Sequence, residues 1–136
     1  MAVDMSRRFP AEPSAIAEAR AFVHDALQRQ VPAARLDDIV LATSELVTNA
    51  IRHVGRPLDV TVQSNGSIRV EVVDPSSVEP AKRVPFPDDV DGRGLNIVDH
   101  VCDRWGVHRV EAGKCVWCEV DLDRASEATR STNGQR

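Results

Sequence analysis

Apolar and polar positions recur with two different periods along this chain, and the changes of period mark its elements. Ser14 is placed to cap a helix running to about Gln30, with Ile16, Ala19, Val23, Ala26 and Leu27 among its apolar and small residues. Val31-Pro32 breaks that pattern, and a second helix is expected from about Ala34 to Val54, ended by Gly55 with Pro57 just beyond. At about 100° per residue, Leu36, Ile39, Val40, Leu46, Val47, Ala50, Ile51 and Val54 fall in one apolar sector of this second helix. Asp38, Ala42, Glu45, Asn49 and Arg52 are expected on the opposite side.

The period then shortens to two. Leu58, Val60 and Val62 alternate with Asp59, Thr61 and Gln63, Asn65-Gly66 signals a hairpin, and Ile68, Val70 and Val72 continue on the return strand as far as Val73-Asp74-Pro75. Residues 6–10 read as a short edge strand stopped by Pro10 and Pro13. The stretch from Pro75 to Asp91, with Pro80, Pro85 and Pro87 among charges, has the length of a functional lid or a disordered loop, and a lid over 76–91 is expected. Asp91-Gly92-Arg93-Gly94 opens a third helix to about Arg104. A last hairpin follows, from Trp105 to Val110 and Lys114 to Leu122, turning near Ala112-Gly113. The order β-α-α-β-β-lid-α-β-β predicts an α+β fold, a two-layer α/β sandwich with helices on one face of a mixed, mostly antiparallel sheet. The folded domain is expected over residues 6–122, with a disordered tail at 123–136.

A chain of 136 residues suffices for one domain with one core. A net charge of −4 and the lack of a basic run argue against direct nucleic-acid binding. No apolar run approaches the roughly 20 residues that span a bilayer, so no membrane association is expected. The charged start is not followed by an apolar segment of signal-peptide type. Three cysteines, an odd number without a secretory context, fit a reducing cytoplasm. Cys115 and Cys118 form a C-x-x-C, but they lie in an alternating stretch where positions three apart point to opposite faces, so they read as structural. Zinc at this spacing would need a turn, and Cys102 with His100 or His108 to complete it.

Candidate chemistry lies in three places. Glu45 and Asn49 are one helical turn apart and can act on one ligand. The acid can take a proton from an attacking hydroxyl, and the amide oxygen can hold Mg²⁺. Asp74 ends a strand, where a buried carboxylate can accept a hydrogen bond from an exocyclic amine such as adenine's. Gly92-Arg93-Gly94 begins a helix, where glycines let backbone N–H groups approach an anion and the helix dipole adds partial positive charge. Singly, these features read as a solvated face, a strand-ending turn and a common glycine turn. In this order, with a long loop between the second and third, they are far more specific.

In those residues the chain resembles the GHKL ATPase superfamily, named for gyrase, Hsp90, histidine kinases and MutL, and within it the small anti-sigma-factor serine/threonine kinases of actinobacterial type. Glu45-Leu46-Val47-Thr48-Asn49-Ala50-Ile51-Arg52-His53 is similar to that family's N-box, Asp74 to its G1 aspartate, and Gly92-Arg93-Gly94-Leu95-Asn96-Ile97-Val98 to its G2 box. The ending, Trp105-Gly106 through Gly113-Lys114 and Val116-Trp117, is also like these kinases. The resemblance implies the Bergerat ATP-binding fold, with ATP and Mg²⁺ as cofactors. It implies Glu45 as general base, Asn49 as the Mg²⁺ ligand and Asp74 as the reader of adenine, with Gly92, Arg93, Gly94 and Leu95 at the phosphate site. Arg52, one turn beyond Asn49, is placed to reach a phosphate or a partner. One departure stands out: the family's glycines after the aspartate are replaced by Pro75-Ser76-Ser77, and proline fixes φ and removes an N–H.

Two functions follow from the resemblance. One is a protein serine/threonine kinase that phosphorylates an anti-anti-sigma (STAS-type) partner and so regulates transcription by partner switching. The other is a non-catalytic ATP-binding anti-sigma regulator that sequesters its partner, which could be a sigma factor. Retention of both Glu45 and Asn49 favours the kinase, and the altered segment after Asp74 favours the regulator. With no helical hairpin before the domain in these 136 residues and no room in them for a further domain, neither a histidine-kinase catalytic domain nor a larger GHKL enzyme is expected. Relatives of this type commonly form homodimers.

Overall fold

The computed structural model describes residues 2–53, 55–74, 96–111 and 113–122. The expected lid, the start of the third helix and the expected tail at 123–136 lie outside the described residues. In chain order the elements are β1 (Val3–Phe9), α1 (Ser14–Leu27), α2 (Ala33–His53), β2 (Leu58–Ser64), β3 (Ser67–Asp74), a helical segment over 96–101, β4 (Arg104–Val110) and β5 (Gly113–Asp121). The strands form one sheet in the order β1-β2-β3-β5-β4, and each of the four pairings is antiparallel. This is the α+β arrangement expected, with the described sheet wholly antiparallel rather than mixed.

The alternation in β2 and β3 decides which face is covered. Leu58, Val60 and Val62 are buried, as are Ile68, Val70 and Val72, with polar neighbours between them. Register extends this face across the sheet, because Val70 stands between Val62 and Cys118, and Ile68 between Ser64 and Val120. Ala19, Val23 and Leu27 of α1 and Leu36, Ile39, Leu46 and Val47 of α2 belong to the same buried cluster. Each large aliphatic side chain buried this completely contributes about 1.5–3 kcal/mol, so the two helices are held on the sheet by their apolar faces.

Several boundaries differ from expectation for local reasons. β1 begins at Val3 rather than residue 6, pairing from Phe9 opposite Leu58 to Val3 opposite Ser64. As an edge strand it leaves residues 4–8 exposed, so no apolar alternation announces its start. Ser14 does not cap α1. Pro13 occupies the N-cap without a side-chain bond, and a backbone turn through Ala15 N to Glu12 O and Ile16 N to Pro13 O leads into the helix. At the other end α1 stops at Leu27, whose carbonyl then accepts from both Gln30 N and Val31 N. The third helix ends near 101 rather than 104, because Asp103 N bonds Glu119 O and the chain joins the sheet at Arg104. Gly55 (φ 69°) and Gly66 (φ 91°) take the left-handed backbone that the helix end and the hairpin require.

The cysteines divide as the alternation predicts. Cys118 faces the helices inside the main core, whereas Cys115, opposite Val73 and His108, is buried on the other face. A hydrogen bond to Cys118, then burial, drives the Cys102 thiol far upward, and burial followed by the charge of Glu71 pushes Cys115 up to about 11. These are unreactive, structural thiols.

The face away from the helices carries a ladder of charges. Arg69 bonds Glu71 (2.7 Å) and Glu119 (2.8 Å), and Arg104 bonds Glu119 (2.8 Å) and Asp121 (2.6 Å). Arg69 also lies 4.3 Å from the Trp117 ring centroid, and the ring covers Gly106 so closely that a Cβ there would stand 2.8 Å from its Cζ2. Glycine in a strand normally costs about 0.5–1 kcal/mol relative to alanine, so Gly106 is retained here for space. Gly106→Ala should therefore lower the unfolding free energy by about 1–3 kcal/mol in a denaturant titration, and a gain in stability would show that the ring does not depend on that gap.

Candidate functional site

On α2 the buried arc is wider than the apolar sector suggests. Ala42, expected among the polar residues, is fully buried, whereas Leu41 is 41% exposed. Burial runs from Ala42 through Leu46, Ile39 and Thr43 to Leu36 and Val47, because α2 packs on both the sheet and α1. Thr43 satisfies its hydroxyl on the Ile39 carbonyl at 2.8 Å. Asn49 then lies about 90° and Glu45 about 130° from the middle of that arc, and both are half-buried. They occupy a flank of the helix rather than the side opposite the core. The solvated middle belongs to Asp37, Leu41 and Arg52.

The flank matters because a side chain there can meet a ligand resting against the sheet while keeping one side open. The Asn49 carboxamide makes no side-chain hydrogen bond to another described residue, whereas Glu45 and Arg52 each take part in interactions with neighbours. Asparagine in mid-helix is less favourable than alanine by about 0.6 kcal/mol, and nothing in the described structure offsets that cost.

Asp74 continues the inward alternation of Ile68, Val70 and Val72 and ends β3 opposite Lys114. It is only 3% exposed. Its Oδ2 is buried and accepts no hydrogen bond from the described residues, although the side chain has other interactions. A buried acceptor at a strand end suits a ligand that brings its own donor, as adenine's amine does.

One anchor orders these elements along the sheet. Arg35, in the first turn of α2, donates to the Asp121 carbonyl at 3.4 Å, and Asp121 stands opposite Ser67 at the start of β3. From that level α2 advances about 21 Å to Asn49, and β3 advances about 24 Å to Asp74. The Arg35 contact fixes the start of α2 beside the start of β3. Arg35 itself drew no attention in the sequence, where the available signal was a cation in the first turn of a helix, against the dipole.

Gly92, Arg93, Gly94 and Leu95 lie outside the described residues, as do Pro75, Ser76 and Ser77. Of the segment that follows them, Val98 is fully buried and Asn96 and Asp99 are exposed, with Asp99 accepting a 3.0 Å bond from the Trp105 indole. A groove of about 480 Å³ between β1 and α1, lined by Met5, Arg7, Glu18 and Phe22 among others, contains none of the candidate residues. No described helix is long and apolar enough to cross a membrane.

Comparison with curated proteins finds no match. Among solved structures, the RsbU and RsbW domains of Rv1364c from Mycobacterium tuberculosis are similar in fold, with a TM-score of 0.68 at 19% identity. The match covers 88% of this chain and only 32% of that one. The profile of the histidine kinase-like ATPase domain matches residues 9–119, a span that includes Glu45, Asn49, Asp74 and Gly92-Arg93-Gly94. With that span covering most of the described strands and both long helices, the chain belongs to the histidine kinase-like ATPase domain family.

Proposed function

We propose that this protein is an ATP-dependent serine/threonine kinase of the anti-sigma-factor type, acting on an anti-anti-sigma (STAS-type) partner. The observation that carries the reading is the burial of Asp74 on the helix-covered side of the sheet at the end of β3; in this reading α2, anchored through Arg35 beside the start of β3, brings Asn49 toward that end. A carboxylate held at a buried strand end, where the family has its adenine-reading aspartate, can accept a hydrogen bond from the base's exocyclic amine. The folded unit is taken as residues 6–122, extended to Val3 by the start of β1.

In this reading Asp74 accepts a hydrogen bond from the adenine amine and fixes the base. The Asn49 amide oxygen is suited to a hard cation that keeps most of its oxygens from water and substrate phosphates, as Mg²⁺ does. Mg²⁺, when bound, supplies charge neutralisation on the phosphates. The resemblance assigns Gly92, Arg93, Gly94 and Leu95 to the phosphate site, with Arg52 reaching a phosphate or the partner. Glu45 orients the acceptor serine hydroxyl and takes its proton as its oxygen bonds the γ-phosphorus and the bond to the β-phosphate oxygen breaks. Positioning does most of the remaining work, because a loose phosphoryl-transfer transition state asks little covalent chemistry of the protein. The glycine-free Asp74-Pro75-Ser76-Ser77 segment favours a second reading, an ATP-binding regulator that sequesters a sigma factor without turnover. A homodimer is the assembly we infer for either.

Asn49→Ala should abolish Mg²⁺-dependent ATP binding in calorimetry while leaving stability unchanged or raised by up to about 0.6 kcal/mol. Unchanged Mg-ATP affinity would remove Asn49 from the site. With Mg-ATP and anti-anti-sigma proteins of the same genome, wild type should transfer phosphate, and Glu45→Gln should slow transfer by up to about 10²–10⁴-fold with little change in nucleotide affinity. Transfer at the wild-type rate in that variant would deny Glu45 its role, and no transfer by wild type to any such protein would favour the sequestering regulator.

A further inference from the structure

Arg35 occupies a position that α2 does not favour by itself. It is the third residue of the helix, where the dipole repels a cation, and the first turn holds no acidic residue. Its side chain is nevertheless only 12% exposed. Two acceptors and one ion pair account for its place: Nη2 donates to Asp103 and to the Asp121 carbonyl, each at 3.4 Å, while Nη1 of the same rigid plane lies 3.5 Å from Asp38 on the same helix. Asp103 is itself 8% exposed and is bolted to β5 on both sides. Its Oδ2 accepts from Asp121 N at 2.7 Å, and its own N–H bonds Glu119 O at 2.9 Å. It also follows directly on Cys102, whose N–H bonds Val98 O at the end of the helical segment 96–101. One guanidinium thus joins the start of α2, the end of that segment and the end of β5.

We propose that Arg35 is a positioning residue, a pivot that sets the angle of α2 on the sheet and hence the separation between Asn49 and Asp74. The apolar contacts of α2 hold it to the sheet but are non-directional, and they tolerate small rotations of one surface on another. The planar fork of arginine, with several fixed donors, is directional. The lever is long: with about 21 Å from Arg35 to Asn49, a tilt of about 5° displaces Asn49 by about 2 Å. Misplacement of about 1 Å can cost about 100-fold in a reaction that depends on positioning. Arg35 touches no substrate in this arrangement and acts through Asn49 and Glu45.

The inference rests on the proposed Mg-ATP site, and its test separates the two. The variant to compare is Arg35→Met with Asp103→Asn, which removes both charges together, so neither is left buried without its counterpart, while the asparagine oxygen can still accept from Asp121 N. Two ligands are titrated against wild type and variant: Mg-ATP, which engages both Asn49 and Asp74, by calorimetry, and adenosine, which engages the Asp74 end alone, by NMR. Loss of the pivot should weaken Mg-ATP by about 10-fold or more and leave adenosine affinity unchanged in a folded variant. Equal affinities for Mg-ATP in wild type and variant would overturn the pivot, as would a parallel loss of both ligands, the signature of general loosening. A wild type that binds neither ligand would overturn the nucleotide site and the pivot with it. Arg35→Lys guards against a double variant that does not fold, since lysine keeps the charge but cannot present the planar fork. It should lose Mg-ATP affinity by an intermediate factor at unchanged adenosine affinity, and full Mg-ATP affinity in it would also overturn the proposal.

Discussion

The packing of α2 on the covered face of the sheet is the interaction from which the rest of the arrangement follows. Ile39, Leu46 and Val47 share one buried cluster with Ile68, Val70, Val72 and Val120, all essentially excluded from water. At about 1.5–3 kcal/mol for each large aliphatic side chain, this contact outweighs anything the surface ion pairs contribute, since exposed pairs are worth about 0–1 kcal/mol. It also determines where polar groups can sit. Because α1 and the sheet together cover a broad arc of α2, Glu45 and Asn49 are left on a flank, half-covered, and Asp74 is drawn into the same layer at the end of β3.

A carboxylate and a carboxamide placed that way are costly to folding and useful to binding. Asp74 gives up hydration, and Asn49 is a weak helix former with no side-chain bond to a described residue. Proteins tolerate such local conflicts mainly where function requires them. The charge ladder on the opposite face of the sheet differs: Arg69, Glu71, Glu119, Arg104 and Asp121 bond one another and shield Trp117, so that face is stabilised without a ligand.

Much of this was legible in the sequence because half-buried strands and amphipathic helices impose periods. β2, β3, β5 and α2 could be placed within a residue or two, and the opposite facing of Cys115 and Cys118 follows from strand alternation alone. β1 was misjudged because an edge strand with residues 4–8 exposed has no apolar alternation to read. The Ser14 cap failed because a backbone turn led into the helix there instead. On α2 the spacing gave the pairing of Glu45 with Asn49, but not the width of the buried arc, which depends on α1. That is why Ala42, expected on the polar side, is fully buried. Arg35 was invisible for a similar reason: its partners, Asp103 and Asp121, lie 68 and 86 positions away. The residues of the glycine-rich segment rest on their resemblance to a family motif and not on described geometry.

The central claim is that Asp74 and Asn49 are two ends of one adenine-nucleotide site. It is tested most directly by an NMR titration of the isotopically labelled chain with Mg-ATP and, separately, Mg-GTP. Adenine presents an amine where guanine presents a carbonyl, and a carboxylate accepts from the first and repels the second. The account predicts saturable shifts at both Asp74 and Asn49 with Mg-ATP and none at the same concentration of Mg-GTP. Equal responses to the two nucleotides, or shifts confined to the groove between β1 and α1, would contradict it.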